Sequence, residues 1–293
     1  MTIFVVGFPK SGNTWLSKML CHAFNAVLVD DDPSQLEVND RLDNLQNDIR
    51  IVKSHHLPEQ LLKNYPTDEY RIFYVYRDFR DVSISALFYF NGPVNQGLLL
   101  DKNFCESIVH FSDPLDFQAG RLAIKNYVGQ MSDHGIPELS QFSTWSQHIE
   151  TWLEWGKTHS NQFQTLTYSD LRADTENQLA RAIKKLGLEQ FIQSLLCKAI
   201  EKESFETLKT EFIKKKLHSN ASFLRSGIVG DWKNYYTQEI AEALSGSVML
   251  KLNELGFETD NLWVNQLPKE KLSPQNLQEF MLFWKCRLKH LLS

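Results

Sequence analysis

Short apolar runs rich in β-branched and aromatic residues are followed repeatedly by segments with helical spacing, and this alternation most narrows the folds open to the chain. Ile3 to Gly7 reads as a buried strand ended by glycine, and a polar turn leads from it into the apolar-periodic segment Thr14 to Phe24. Arg50-Ile51-Val52-Lys53 is a second strand candidate. Arg71 to Tyr76 is a third, followed by a helical pattern from about Arg80 to Tyr89. Phe163 to Thr167 is a fourth, followed by Tyr168 to Leu171 and a helix over Glu176 to Leu186 that Gly187 can cap. Parallel strands need a crossover, and a helix supplies one. The pattern therefore predicts an α/β fold, a parallel sheet flanked by helices on both faces. Such sheets bind ligands beyond the carboxyl ends of their strands, which is where the polar residues of interest fall.

With 293 residues, 42% of them hydrophobic and 23% charged, the chain suits one principal domain, expected over residues 1–265. The formal net charge of -5 argues against a polyanion binder whose affinity rests on released counterions, so no nucleic acid partner is expected and any basic site must be local. Cys21, Cys105, Cys197 and Cys286 lie far apart, without Cys-x-x-Cys or His at zinc-finger spacing, so neither a metal site nor a disulfide framework is expected. The apolar run at the N-terminus is too short for a signal peptide, and no run reaches the roughly eighteen residues of a membrane span. A cytoplasmic location is the expectation.

Between the third strand's helix and Trp145 lies a long stretch punctuated by Gly92, Pro93, Gly97, Pro114, Gly120, Gly135 and Pro137. Stretches this long are functional, disordered or hide helices, and Phe104, Phe111 and Phe117 suit either core packing or the wall of an acceptor pocket. Residues 266–293 form an amphipathic terminal helix, with Ser273 as cap, Pro274 at the first position and Leu277, Phe280, Met281, Trp284 and Leu288 on one face. That helix packs on the domain or at a dimer contact; monomer and homodimer both stay open.

The segment Gly7-Phe8-Pro9-Lys10-Ser11-Gly12-Asn13-Thr14-Trp15 joins a strand to a helix, so backbone N–H groups and the helix dipole can converge on an anion, with Lys10 adding a full charge. A Walker A loop would carry Gly-Lys-Ser/Thr; here the lysine precedes the Ser-Gly pair. Pro-Lys-Ser-Gly-x-Thr-Trp after a strand resembles the 5′-phosphosulfate loop of sulfotransferases that use 3′-phosphoadenosine 5′-phosphosulfate (PAPS), the cytosolic branch in particular. The resemblance implies a P-loop-like nucleotide-binding core, the sulfotransferase fold. It implies cofactor contacts from Lys10, Ser11, Gly12, Asn13, Thr14 and Trp15.

Other segments carry the same resemblance. In that family a strand ends in Arg and a Ser eight residues on grips the 3′-phosphate with it; Arg77 and Ser85 have that spacing. A guanidinium offers bidentate donors to phosphate and a hydroxyl supplies another. Phe223 to Lys233 is similar to the family's Arg-Lys-Gly-x-x-Gly-Asp-Trp-Lys signature, with Arg225, Ser226 and Gly227 at the phosphate; Ser226 stands where lysine is usual, and Lys214 to Lys216 could replace its charge. Tyr168 matches a tyrosine at the adenine. Phe205, in Ser204-Phe205, matches a ring stacked on it, with Glu203 where a threonine is expected, and Trp15 with Phe205 could sandwich the purine. Trp145, His148 and Trp152 look like the family's Trp-x-x-His-x-x-x-Trp helix, where the histidine reads as structural. Lys233 to Glu242 partly resembles a short dimerisation motif, with Gln238 replacing its valine.

Sulfonyl transfer to an alcohol needs a base for the hydroxyl proton and positive charge on the leaving phosphate. Lys53-Ser54-His55-His56-Leu57-Pro58 resembles the family's Lys-Thr/Ser-His-Leu-Pro, whose lysine lies near the transferred group and whose histidine is the base. Counting from Lys53 selects His55; counting back from Leu57-Pro58 selects His56. Strand alternation, if it continues, puts His55 on the side of Lys53 and favours it. The catalytic set implied is His55, Lys53 and Lys10, without metal, acting on a small-molecule hydroxyl carried by a phenol, an aliphatic alcohol, a sterol-like lipid or a sugar. Two rivals remain. A kinase would need a Walker A lysine and acidic magnesium ligands, and Asp30 to Asp32 read better as a solvated turn. A binding protein that lost its chemistry would be consistent with Ser226 and Glu203.

Overall fold

The computed structural model describes residues 1–30, 49–67, 69–90, 117–139, 142–191, 195–204, 207, 210 and 227–269. The chain divides into two compact units, one comprising Met1–Arg77 and Gln147–Lys216, the other Asp78–Ser146 and Leu217–Ser293. In chain order the described α-helices are α1 (Asn13–Phe24), α2 (Pro58–Asn64), α3 (Phe79–Phe90), α4 (Phe117–His134), α5 (Trp145–Thr158), α6 (Tyr168–Ala173), α7 (Thr175–Lys185), α8 (Leu196–Lys202), α9 (Gln238–Glu242) and α10 (Gly246–Glu254).

The first unit is built on β1 (Thr2–Val6), β2 (Val27–Asp30), β3 (Arg50–Ser54), β4 (Tyr70–Tyr76) and β5 (Phe163–Thr167), all parallel in the order β2-β3-β1-β4-β5. β1 lies between β3 and β4 and is buried along its whole length, as its unbroken apolar run requires. Ile3, Val5, Ile51, Phe73, Val75 and Leu166 pack on one face with Leu16 and Met19 of α1, Leu179 and Ile183 of α7, and Leu196 of α8. On the other, Tyr74 stacks with Trp152 of α5 at 5.7 Å and with Phe163 at 5.9 Å. Helices thus cover both faces, as the alternation predicts. The chain leaves β1 toward β2 and β3 on one side and reaches β4 and β5 on the other. Strand order reverses at the carboxyl end of β1, and the loops after β1, β3 and β4 meet there.

Gly187 ends α7 as expected. Its φ is 65°, and the amide of Leu188 donates to the Ile183 carbonyl at 3.0 Å. Sequence patterning does not reveal β2, which is only four residues long and is defined by its pairing with β3.

In the second unit, α4 occupies part of the stretch where loops or hidden helices were both open. Ile124, Tyr127, Val128 and Met131 form its buried face, a spacing obscured by Gly120, Gly129 and the polar residues around them. Lys233 to Thr237 is used internally: Tyr235 and Tyr236 are buried, and the Thr237 hydroxyl caps α9 by accepting from the Ile240 amide. Phe104, Phe111 and the terminal helix from Ser273 lie outside the described residues.

Candidate functional site

The turn between β1 and α1 is shaped by backbone that few residues adopt. Lys10 and Gly12 both have positive φ, 69° and 107°. A side chain at Gly12 would strike the Tyr168 ring at 2.7 Å, and one at Gly7 would strike the Val75 carbonyl. The Ser11 amide closes the turn on the Phe8 carbonyl at 3.2 Å, while the fully buried Ser11 hydroxyl has no hydrogen-bond partner among the described residues. A buried hydroxyl without a partner costs stability that a bound oxyanion would recover. With Lys10 beside it and the α1 N-terminus following, the turn fits the 5′-phosphosulfate end of PAPS.

His55 follows β3 and is drawn onto this turn. Its Nδ1 lies 2.7 Å from the Gly7 carbonyl and 2.9 Å from Asn13 Nδ2, and that same Nδ2 donates to Gly7 at 2.7 Å. Because the Asn13 amide already donates to this carbonyl, the arrangement is satisfied when Nδ1 carries the proton and donates to Gly7 as well. Nε2 is then the basic nitrogen. Enclosure pushes the His55 pKa down to about 3; the charge of Lys53 acts in the same direction, the bond to Gly7 opposes it, and His148 and Lys10 add smaller depressions. β3 ends at Ser54, so strand alternation does not reach His55; its placement comes from Gly7 and Asn13.

The His55-His56 backbone is clamped from α5. His148, fully buried, donates from Nε2 to the His55 carbonyl at 3.0 Å and accepts from the Tyr74 hydroxyl on Nδ1 at 2.9 Å. Burial raises the Tyr74 pKa and lowers that of His148 to about 4, so this chain of donors holds at neutral pH. Trp152 Nε1 donates to the His56 carbonyl at 3.1 Å. His148 is thereby a positioning group, in keeping with its structural reading.

The other candidates of the first unit gather around Tyr168, which begins α6 just past β5. The Arg77 guanidinium, immediately after β4, lies 4.3 Å over its ring, and Trp15 meets it edge to face at 5.9 Å. Lys53, 8% exposed, sits on β3 opposite Val5 of β1. Thr14 and Trp15 lie in the first turn of α1, and Trp15 Nε1 donates to the Glu203 carbonyl at 2.8 Å.

In the second unit, Ser85 lies on α3 and is partly buried, whereas Ser83 is fully buried and bonded to the Arg80 carbonyl and the Tyr236 hydroxyl. Gly227 and Gly230 have φ values of 61° and 80°. Sequence reading misses Asp81, whose carboxylate accepts from the amides of Gly230 at 2.9 Å and Trp232 at 3.1 Å. Its signal was an acidic residue at a buried helix position. Arg80 is held in a pocket of its own: ion-paired to Asp78 at 2.6 Å and to Glu258, with its guanidinium 3.8 Å over Trp232 and 4.5 Å over Trp263. Phe205, Arg225 and Ser226 lie outside the described residues. Among the described residues no group of three or more His, Cys, Asp or Glu is placed to hold a metal ion, and no helix is long and apolar enough to cross a membrane.

The family described as Sulfotransferase domain matches residues 1–255. The chain belongs to the sulfotransferase family. Membership carries the activity class, PAPS-dependent sulfonate transfer. The chain is 28% identical to Sulfotransferase 1E1 of Bos taurus over 268 residues, spanning 82% of this chain and 79% of that one. It is 26% identical to Sulfotransferase 1E1 of Homo sapiens, across 88% and 86% of the two chains. Among solved structures, mouse sulfotransferase SULT7A1 complexed with PAP superposes with a TM-score of 0.59 at 19% identity, covering 90% of this chain and 87% of the other. Retinol dehydratase in a complex with retinol and PAP gives 0.54 at 20% identity, covering 86% and 81%. These likenesses establish the fold as that of sulfotransferases.

Proposed function

We propose that this sulfotransferase moves the sulfonate of PAPS to the hydroxyl of a small-molecule acceptor, with His55 as general base and with Lys53 and Lys10 stabilising the leaving phosphate. The observation that carries the reading is the pinning of His55 Nδ1 on Gly7, which leaves Nε2 unprotonated beside the turn that fits the phosphosulfate. His56, by contrast, is held through its carbonyl by Trp152 of α5. When bound, PAPS supplies a sulfonate on a phosphate leaving group. His55 takes the hydroxyl proton on Nε2 as the acceptor oxygen bonds to sulfur. Lys53 and Lys10 balance the charge left on the phosphate oxygen as its bond to sulfur breaks. Ser11, Gly12, Asn13, Thr14 and Trp15 hold the 5′ end; Arg77, Ser85, Arg225, Ser226 and Gly227 take the 3′-phosphate; Tyr168 and Phe205 take the base. The PAP in the related solved structures supports the same donor here. Residues 1–265 are assigned to the catalytic domain.

Transfer of radiolabelled sulfonate from PAPS to a panel of phenols, alcohols, sterols and sugars tests the proposal. Labelled product with at least one hydroxyl compound is expected. PAP binding without transfer to any acceptor would overturn the catalytic reading, and tighter binding of magnesium ATP than of PAP would overturn the donor assignment.

A further inference from the structure

Glu203 closes α8 and is only 4% exposed, an expensive place for a carboxylate. Its surroundings in the first unit satisfy half of it. Oε1 lies 3.0 Å from His22 Nε2, and Oε2, equally buried, has no hydrogen-bond partner among the described residues. The backbone of the same residue is tied to Trp15, whose indole N–H donates to the Glu203 carbonyl at 2.8 Å. A buried acceptor lacking a donor is thus held beside the ring that, with Tyr168, is assigned to the purine.

The protonation of the pair follows from its third member. Lys202 Nζ lies 3.4 Å from His22 Nδ1, and an ammonium can only donate. His22 therefore accepts on Nδ1 and donates from Nε2 to Glu203, whose carboxylate stays ionised with both oxygens as acceptors. The buried Cys21 thiol offers it no proton: burial, reinforced by the charge of Glu203, pushes its pKa up to about 12. What the free oxygen lacks is a donor from outside the protein.

We infer that Glu203 Oε2 accepts a hydrogen bond from the 6-amino group of the donor nucleotide's purine, making Glu203 a specificity-determining residue for 6-aminopurine donors. The inference rests on the proposed PAPS site and adds to it a residue at which this chain departs from the family's pattern. A purine without the amine leaves the carboxylate oxygen buried and unsatisfied, so discrimination arises from the penalty on the wrong base as much as from the bond to the right one.

The test compares PAP with its deamino analogue, purine riboside 3′,5′-bisphosphate, by calorimetric titration of the full chain. PAP is expected to bind about 10- to 100-fold more tightly, as one hydrogen bond to a charged group implies. Glu203→Gln keeps the shape of the side chain. Because His22 donates, the amide oxygen turns toward it and the NH2 group faces the base. This variant is expected to bind the analogue within about threefold of the unchanged protein while losing its preference for PAP. A structural role alone would weaken both ligands equally and leave the preference intact. Equal affinity of the unchanged protein for PAP and the analogue overturns the inference and leaves the PAPS reading standing. So does a Glu203→Gln variant that still prefers PAP, since another group would then read the amine. Binding of neither nucleotide would overturn the PAPS reading and the inference together.

Discussion

The β1–α1 turn and the Gly227–Lys233 segment are both glycine-containing bends that carry proposed phosphate contacts, yet their polar groups are satisfied in opposite ways. In the second, Asp81 takes the amides of Gly230 and Trp232, and neighbouring Arg80 is saturated by Asp78, Glu258 and two tryptophan rings. That bend is braced by its own unit. In the first, the Ser11 hydroxyl and Asn13 Oδ1 are buried without partners among the described residues, and two residues hold positive φ. This turn keeps unsatisfied capacity in the protein, the arrangement expected where a ligand completes the hydrogen bonding. Substitutions at the turn should therefore be felt in ligand binding and turnover, and those at the braced bend in stability.

The largest expected effect is at His55, the side chain pinned to the turn. His55→Ala should lower kcat/KM about 10²- to 10⁴-fold, the usual contribution of a general base, while His56→Ala changes it by less than about threefold; steady-state sulfonate transfer measures both. The reverse ranking would move the base to His56.

Ser11→Ala should weaken PAP about 10- to 100-fold by titration, the value of one hydrogen bond to a charged group, and leave the thermal midpoint of the free protein unchanged, because the hydroxyl has no partner to lose. A fall in the midpoint with unaltered affinity would erase the contrast.

Asp81→Asn should do the opposite. One of the two amides faces an NH2 group in place of an acceptor, and urea denaturation should show a loss of about 1–2 kcal/mol.

The smallest effect concerns the clamp behind His55. His148 has a folded pKa of about 4 against an unfolded value near 6.5, so below pH 6.5 the unfolded chain binds more protons. Its contribution to stability is complete above pH 6.5 and declines as the pH falls toward 4. Lowering the pH from 7.5 to 5.5 should cost about 1 kcal/mol on this account, and His148→Gln should remove that share of the slope in urea titrations.

Much of the fold is legible in local pattern. Four of the five described strands and the helices after β1, β4 and β5 are marked by runs of β-branched or apolar residues and by caps such as Gly187. β2 escaped because four residues carry too little periodicity, and α4 because glycines interrupt its apolar face. The residues proposed for the site were legible where backbone chemistry demands particular types, as at Gly12. Asp81, His22 and Glu203 were not, because each acts through partners more than a hundred residues away.

The sequence by itself determined the α/β class, the strand-turn-helix that fits a phosphosulfate and membership of the sulfotransferase family, since these rest on residue types at short spacing. Tertiary structure decided which nitrogen of His55 is free, that His148 and Trp152 clamp the backbone behind it, and that Glu203 keeps an oxygen without a partner. Hydrogen-bond satisfaction is settled between elements brought together by sheet order, and no local pattern encodes it.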